Sequence, residues 1–375
     1  MPLYKDLLPG DPAPWFHARA DTRERFALDT VAGRYIVLCF FGSMAHPKSR
    51  MALDAVFAEP ALFDDERACF FGVSVDPADE AQKRVTGRIP GYRFFWDFDG
   101  DISRLYGVVP RDATPDKDWT SWRQQWVVLD PTLRVLKVLP FANDDANGQQ
   151  LVNDLKTLPP PSRFAGFEVQ APVLVLPNVF EAGFCRRLIA LHEAHGGGEE
   201  TGFMREVDGM TVQIHDHRHK RRRDHVIGDK DIMLQARERI GRRVVPELRK
   251  AYQYNATRME RYIVSCYSAE DGGHFVAHRD NTTKGTAHRR FAVSINLNSD
   301  FDGGELCFPE FGPKAFKPSP GCAVVFSCSL LHAVSKVRRG RRYAFLPFLY
   351  DDEAAKIRAV NHEFLGDKGG ACSTV

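Results

Sequence analysis

Along residues 5–157, short apolar runs alternate with stretches of helical spacing. Tyr35-Ile36-Val37-Leu38-Cys39-Phe40-Phe41 is apolar throughout, the pattern of a strand covered on both faces. Residues 49–63 carry apolar side chains at helical intervals (Met51, Leu53, Val56, Phe57, Leu62). Cys69-Phe70-Phe71-Gly72-Val73-Ser74-Val75 predicts a second buried strand, and 78–86 a helix. Trp126-Val127-Val128-Leu129 and Arg134-Val135-Leu136-Lys137-Val138 flank Asp130-Pro131-Thr132-Leu133, which predicts a hairpin. A helix over 147–158 closes the unit. Strands alternating with helices and ending in a hairpin imply an α/β sandwich over residues 1–158.

Leu158-Pro159-Pro160-Pro161-Ser162 then interrupts the pattern, and 159–170 is expected to be a stiff linker. The second domain is placed at 171–352. It opens with a short strand over 173–176 and two amphipathic helices over 181–194 and 229–252. Beyond these the pattern turns to strands at 261–267, 291–297, 305–309, 323–326 and 343–349. Asp302-Gly303-Gly304 and Pro318-Ser319-Pro320-Gly321 mark turns between them. Short strands punctuated by Gly and Pro predict a jelly-roll. The fold class is therefore α/β plus all-β-rich, with a tail over 353–375 expected to be partly mobile.

Composition narrows the function. A chain of 375 residues exceeds one typical core, and a net charge of +2 supplies no global field toward nucleic acid or membrane. No apolar run reaches bilayer length. Met1-Pro2-Leu3-Tyr4-Lys5-Asp6 lacks the basic and apolar regions of a secretory signal. The eight cysteines form no C-x-x-C pair and mostly sit in strand-like runs, the usage of buried thiols in a reducing compartment; a cytoplasmic protein is expected.

His278-Arg279-Asp280 is the one H-x-[DE] triplet in the chain. Composition alone would yield about two such triplets, so the motif by itself carries little weight. Its setting adds more. Side chains at i and i+2 on an extended segment point the same way and can reach one metal. His332, after the predicted strand 323–326, supplies a third ligand. Two imidazoles and one carboxylate leave positions on iron(II) for a bidentate oxoacid and dioxygen, whereas zinc would want a fourth ligand that is not evident. Arg342 lies in a predicted barrel strand, where an arginine needs an anion. The distal carboxylate of 2-oxoglutarate fits, and Arg341 faces the other way. His274 is four residues from His278, roughly 13 Å along a strand, too far for joint ligation.

His215-Asp216-His217-Arg218-His219 is read as a polar loop rather than a metal site, since no predicted strand frames it. The basic run from Arg218 to Arg223 is weighed as a solvated face first and a mouth for an anionic substrate second. Nucleic acid is disfavoured because aromatic residues do not interleave the bases.

The run Arg261-Tyr262-Ile263-Val264-Ser265-Cys266-Tyr267 is followed by Gly272-Gly273-His274-Phe275-Val276-Ala277-His278-Arg279-Asp280-Asn281. Then come Phe291-Ala292-Val293-Ser294-Ile295-Asn296-Leu297-Asn298, Gly303-Gly304-Glu305-Leu306-Cys307-Phe308 and the His332…Arg342 spacing. Together these resemble prolyl 4-hydroxylase-type iron/2-oxoglutarate dioxygenases over about 170–352. The resemblance implies a double-stranded β-helix. It implies that His278, Asp280 and His332 hold iron(II), that Arg342 holds 2-oxoglutarate, and that Tyr267 helps bind the same carboxylate. It further implies hydroxylation of a protein side chain or small molecule by dioxygen with release of succinate and CO2, ascorbate serving as an added reductant. Asn296 stands where some relatives place a second co-substrate tyrosine. The substrate does not follow, because many substrates share this fold.

In the first domain, Gly10-Asp11-Pro12-Ala13-Pro14-Trp15-Phe16, Gly72-Val73-Ser74-Val75-Asp76, Asp97-Phe98-Asp99-Gly100, Tyr106-Gly107-Val108 and Trp126-Val127-Val128-Leu129-Asp130 resemble the peroxiredoxin/thiol-specific antioxidant family over about 5–157. That implies a thioredoxin-like fold. Where the family places its reactive cysteine this chain has Ser49, and its threonine position falls on His46. A hydroxyl does not replace a low-pKa thiolate, so a peroxidase fold without peroxidase chemistry is expected. Partner docking, homodimerisation and substrate presentation stand as its roles; a redox adaptor or peroxidase-related binding protein is the alternative to the oxygenase reading.

Overall fold

The computed structural model describes residues 3–112, 122–141 and 146–366. The chain divides into two compact units, 1–170 with Pro309–Gly312, and 171–308 with 313–375.

The first unit runs β1 (His17–Ala20), β2 (Arg23–Ala27), β3 (Tyr35–Gly42), α1 (Pro47–Phe57), β4 (Ala68–Ser74), α2 (Pro77–Ala81), β5 (Tyr92–Trp96), α3 (Asp101–Leu105), β6 (Gln125–Leu129), β7 (Val135–Pro140) and α4 (Ala146–Thr157). Its seven strands form one sheet in the order β2-β1-β5-β4-β3-β6-β7, with β3, β4 and β5 parallel. Every residue of β3 is buried because the sheet is covered on both faces. Tyr35, Val37, Cys39 and Phe41 pack with Leu53 and Val56 of α1 and Leu151 and Leu155 of α4. Phe40, on the opposite face, meets the ring of Tyr106 just beyond α3. The expected linker 159–170 instead belongs to this unit. Tyr35 Oη donates to the Pro159 carbonyl, Arg67 Nη2 donates to the Leu158 carbonyl, and Phe164 packs against the core. Strands β1, β2 and β5 were not foreseen; β1 and β2 are short and carry charge.

The second unit runs β8 (Leu174–Leu176), α5 (Ala182–Ala194), β9 (Glu199–Glu200), β10 (Phe203–Val207), β11 (Met210–Ile214), β12 (Lys220–Arg221), β13 (Arg223–Val226), α6 (Lys230–Arg243), α7 (Val245–Tyr252), β14 (Arg258–Glu260), β15 (Ile263–Ser268), β16 (His274–His278), β17 (Phe291–Asn296), β18 (Leu306–Cys307), β19 (Ala315–Phe316), β20 (Ala323–Ser327), β21 (His332–Val334), β22 (Arg341–Phe345), β23 (Phe348–Tyr350) and α8 (Asp352–Val360). The nine-stranded sheet has the path β14-β23-β17-β22-β15-β13-β9, with β20 on β17 and β8 on β20. The five-stranded sheet is β12-β16-β21-β18-β19.

Helices α5, α6 and α7 cover one face of the larger sheet. Leu188, Ala236, Ile240 and Leu248 pack against Val264, Cys266, Val293, Ile295, Tyr343 and Phe345. With a side-chain period of two, Ser265 and Tyr267, Ser294 and Asn296, and Arg342 all take the other face.

Two expectations change here. The helix expected over 229–252 breaks at Val244, since Pro246 in the first turn of α7 has no N–H to continue the preceding helix. The expected tail is ordered through residue 366. Asp351 caps α8 by accepting from the Ala354 N–H, and Leu365 bridges to Thr211. Residues 367–375 lie outside the described residues.

Candidate metal centre and its anion pocket

Strand β16 ends at His278 and β21 begins at His332, and these two residues are register partners across the smaller sheet. Asp280 follows by two, its N–H donating to the Cys328 carbonyl at 2.9 Å. One ligand atom from each of His278, Asp280 and His332 lies within 4.8 Å of the others. The nearest approaches are His332 Nε2 to Asp280 Oδ2 at 3.3 Å and His278 Nε2 to Asp280 Oδ1 at 3.6 Å. Phe275 stacks on His278 with ring centroids 3.5 Å apart, and Phe326 meets His332 edge-on.

The tautomers follow from the other ring nitrogens. His278 Nδ1 faces the Val276 carbonyl at 2.8 Å, and His332 Nδ1 faces the Leu330 carbonyl at 3.0 Å. A carbonyl can only accept, so each Nδ1 carries the hydrogen, and each ring in its neutral form turns a lone pair outward at Nε2. Burial pushes His332 down to about 4. Burial alone would raise the Asp280 pKa, but the two histidines hold its carboxyl below the usual range. Two imidazole lone pairs and a carboxylate thus converge with no donor among them. That arrangement fits a cation, and its N/O donor set suits a divalent first-row metal.

A histidine with a folded pKa below its unfolded one binds its proton more readily when unfolded, so acid favours the unfolded chain. The metal-free protein is expected to lose stability as pH falls from about 6.5, the ordinary histidine value, toward about 4. Asp280 adds the same sign at lower pH. Melting temperatures taken across that range should fall more steeply for the native protein than for His332→Gln; parallel curves would contradict the assignment.

Arg342 on β22 is the register partner of Tyr267 on β15. It is 2% exposed, and among the described residues no carboxylate pairs with it. Its Nε donates to Asn296 Oδ1 at 3.0 Å and its Nη2 to Ser294 Oγ at 2.9 Å, while Nη1 is buried without a partner. Burial, joined by the charge of Arg222, lowers its pKa. Asn296 and Ser294 therefore fix this guanidinium. Gly304 suits the left-handed φ of +67° there, where a Cβ would crowd Val337 Cγ2 at 3.0 Å and Arg342 Cδ at 3.2 Å. Arg341 is exposed and paired with Glu270.

The basic run is not one solvated face. Alternation from β12 into β13 buries Lys220 and Arg222 and leaves Arg223 exposed, while Arg218 is exposed in the turn before β12. Arg222, absent from the sequence-derived site, lies against Tyr267 with Nη1 3.3 Å from the phenol oxygen. Its signal was the i, i+2 series Lys220, Arg222 and Asp224, hidden because these short strands have a charged composition. Strands also frame the histidine-rich segment, contrary to expectation: β11 ends at Ile214 and β12 begins at Lys220. There His217 pairs with Glu200, and His219 stacks on Phe203. His274 contacts the Gly272 and Arg218 carbonyls.

In the first unit, Ser49 is fully buried. Its hydroxyl donates to the Phe41 carbonyl at 2.8 Å and accepts from Gln124 Nε2 at 2.8 Å. Burial pushes the Cys39 thiol well up and the Cys69 thiol to about 12. Ser49→Ala is expected to cost about 1–2 kcal/mol in a urea titration, from the loss of these hydrogen bonds. Peroxide consumption should be unchanged; a change would restore a peroxidase role.

Residues 262–350 match the family model of the 2OG-Fe(II) oxygenase superfamily, and residues 9–136 match that of the AhpC/TSA family. A PKHD-type hydroxylase of Pseudomonas fluorescens is 38% identical over 91 residues, covering 22% of this chain and 39% of the relative. One of Nitrosomonas europaea is 30% identical over 112 residues, covering 27% and 49%. The chain thus spans less than half the length of these relatives. Among solved structures, a Trichoplax adhaerens prolyl hydroxylase in complex with a hypoxia-inducible-factor peptide aligns at 18% identity and TM-score 0.39, over 56% of this chain and 90% of that one. The Mycobacterium tuberculosis peroxidoxin BcpB aligns at 18% identity and TM-score 0.33, over 41% and 99%. In order along the chain, a region that matches the AhpC/TSA family model is followed by a region that matches the 2OG-Fe(II) oxygenase model.

Proposed function

We propose that this chain is an iron(II)- and 2-oxoglutarate-dependent dioxygenase that hydroxylates a protein side chain or a small molecule, with release of succinate and CO2. The observation that carries this reading is a pair of complementary side-chain sets, one of acceptors and one of donors. Three acceptors converge without a donor at His278, Asp280 and His332, and the buried Arg342 guanidinium keeps its Nη1 without an acceptor. The first suits a metal cation and the second a carboxylate. We read the two antiparallel sheets as a double-stranded β-helix and domain boundaries near residue 170.

In this reading His278, Asp280 and His332 hold iron(II), which supplies dioxygen activation coupled to decarboxylation of the oxoacid. The chain's own residues do the rest. The Val276 and Leu330 carbonyls hold both imidazoles in the tautomer that presents Nε2. Phe275 and Phe326 wall the site with apolar surface that limits water. Arg342, fixed by Asn296 and Ser294, binds the distal carboxylate with Tyr267 beside it. The first unit serves docking, homodimerisation or substrate presentation.

The test is succinate formation from 2-oxoglutarate by purified protein with iron(II) and ascorbate, beside the same protein without iron(II) and beside His278→Ala. Iron-dependent succinate that vanishes in the variant supports the reading. No turnover, together with no binding of iron(II) or 2-oxoglutarate by calorimetry, would sink it.

A further inference from the structure

Tyr267 is 1% exposed and lies between two guanidinium groups: Arg222 Cζ is 5.7 Å from its ring centroid and Arg342 Cζ 5.4 Å. Arg222 is itself 6% exposed and firmly held. Its Nη2 donates to Asp224 Oδ2 at 2.7 Å, and that carboxylate also accepts from Thr201 Oγ1 at 2.7 Å and from Ser265 Oγ at 2.6 Å. Arg222 Nη1 then reaches the Tyr267 phenol at 3.3 Å. A guanidinium has no lone pair to offer, so in this contact the phenol oxygen accepts. The phenol's single hydrogen is left over. Among the described residues the phenol has no other hydrogen-bond partner, and Arg342, its cross-strand neighbour, is also donor-only. Arg342 Nη1 and Arg222 Nε are both buried without partners. The pocket therefore presents a set of donors and lacks an acceptor.

We propose that Arg222 is a positioning residue for the co-substrate: by donating to the Tyr267 oxygen, it commits the phenol hydrogen to the carboxylate that Arg342 binds. This rests on the 2-oxoglutarate reading above. The Asp224 clamp supplies the rigidity, since it engages the far side of the guanidinium and leaves Nη1 directed at the phenol. Arg222 acts through Tyr267 and need not touch the co-substrate.

A double-mutant cycle separates this role from direct binding and from a fold-supporting role. The dissociation constant of 2-oxoglutarate is measured by anaerobic calorimetry with iron(II) on the full chain, for wild type, Arg222→Met, Tyr267→Phe and the double variant. Each single substitution is expected to weaken binding about tenfold, the worth of one hydrogen bond to a charged group. The double variant should bind about as weakly as Tyr267→Phe alone. Equal losses from Arg222→Met in both backgrounds would mean direct contact or a general structural effect and would overturn the proposal, as would no loss at all. Should Arg222→Met fail to fold, Arg222→Lys takes its place, keeping a cation for Asp224 while losing the fork that reaches two partners. Failure of the wild type to bind 2-oxoglutarate would overturn the functional reading itself. Binding that is lost in Arg342→Met but is additive in the cycle would overturn this inference alone.

Discussion

Asp280→Ala is expected to abolish iron-dependent succinate formation, with a loss of at least about 100-fold, because groups that merely orient a metal ligand already cost 10–100-fold when removed. The reason is electrostatic as well as geometric. His278 and His332 present neutral Nε2 lone pairs, so Asp280 is the one anionic member of the cluster. Its loss removes both a donor atom and the charge that offsets a divalent cation's desolvation. The backbone bond from the Asp280 N–H to Cys328 remains in the variant, so the local chain path is retained. The measurements are bound iron per chain and succinate released per minute, with circular dichroism to show an intact fold. Full iron-dependent turnover by Asp280→Ala would remove Asp280 from the ligand set.

Arg342→Met is expected to raise the dissociation constant of 2-oxoglutarate about 100-fold, since a bidentate guanidinium–carboxylate contact combines two charge-assisted hydrogen bonds in a dry pocket. The same substitution should leave the melting temperature of the ligand-free protein unchanged or raise it. Arg342 is buried with its Nη1 group unpartnered and no paired carboxylate among the described residues, so the ligand-free protein bears the cost of a desolvated cation. An arginine serving the fold would behave in the opposite way, lowering the melting temperature and leaving co-substrate affinity alone. Calorimetry and a thermal melt on the same preparation distinguish the two. Saturating 2-oxoglutarate should stabilise the wild type and not the variant.

How much of this was legible beforehand depends on how local each feature is. The strand Tyr35–Gly42 could be read because a continuous apolar run of that length has few other uses, and it is buried at every position. The Trp126 hairpin was readable from its turn residues. The pairing of His278 with Asp280 was readable because a two-residue step along an extended chain places both on one side. The break between α6 and α7 was read through as one helix over 229–252, although Pro246 marks it. Proline stiffness says nothing of what the linker segment packs against, and Tyr35 binds it to the first unit at Pro159. The ordered stretch after Asp351 was missed for the same reason, its cap and its bridge to Thr211 being contacts rather than patterns.

Arg222 shows the limit most clearly. In the sequence it is one of a basic run, and net composition favours a solvated face. In the structure, alternation from β12 into β13 turns Lys220 and Arg222 inward and Arg223 outward, while Arg218 meets solvent in the turn before β12. Nothing local distinguishes the two sets, because the strands are too short and too charged to announce their period. By itself, the sequence determined the residue types of the site, the two-residue step of its ligands and the face that each strong strand offers. All of these depend on the short-range geometry of the chain. Only the tertiary structure decided that His278 lies across from His332, that Tyr267 lies across from Arg342, and that Arg342 and Arg222 keep unpartnered N–H groups beside that phenol. Register between distant strands is set by how whole faces pack and exclude water, a sum over many side chains that no single stretch of sequence contains.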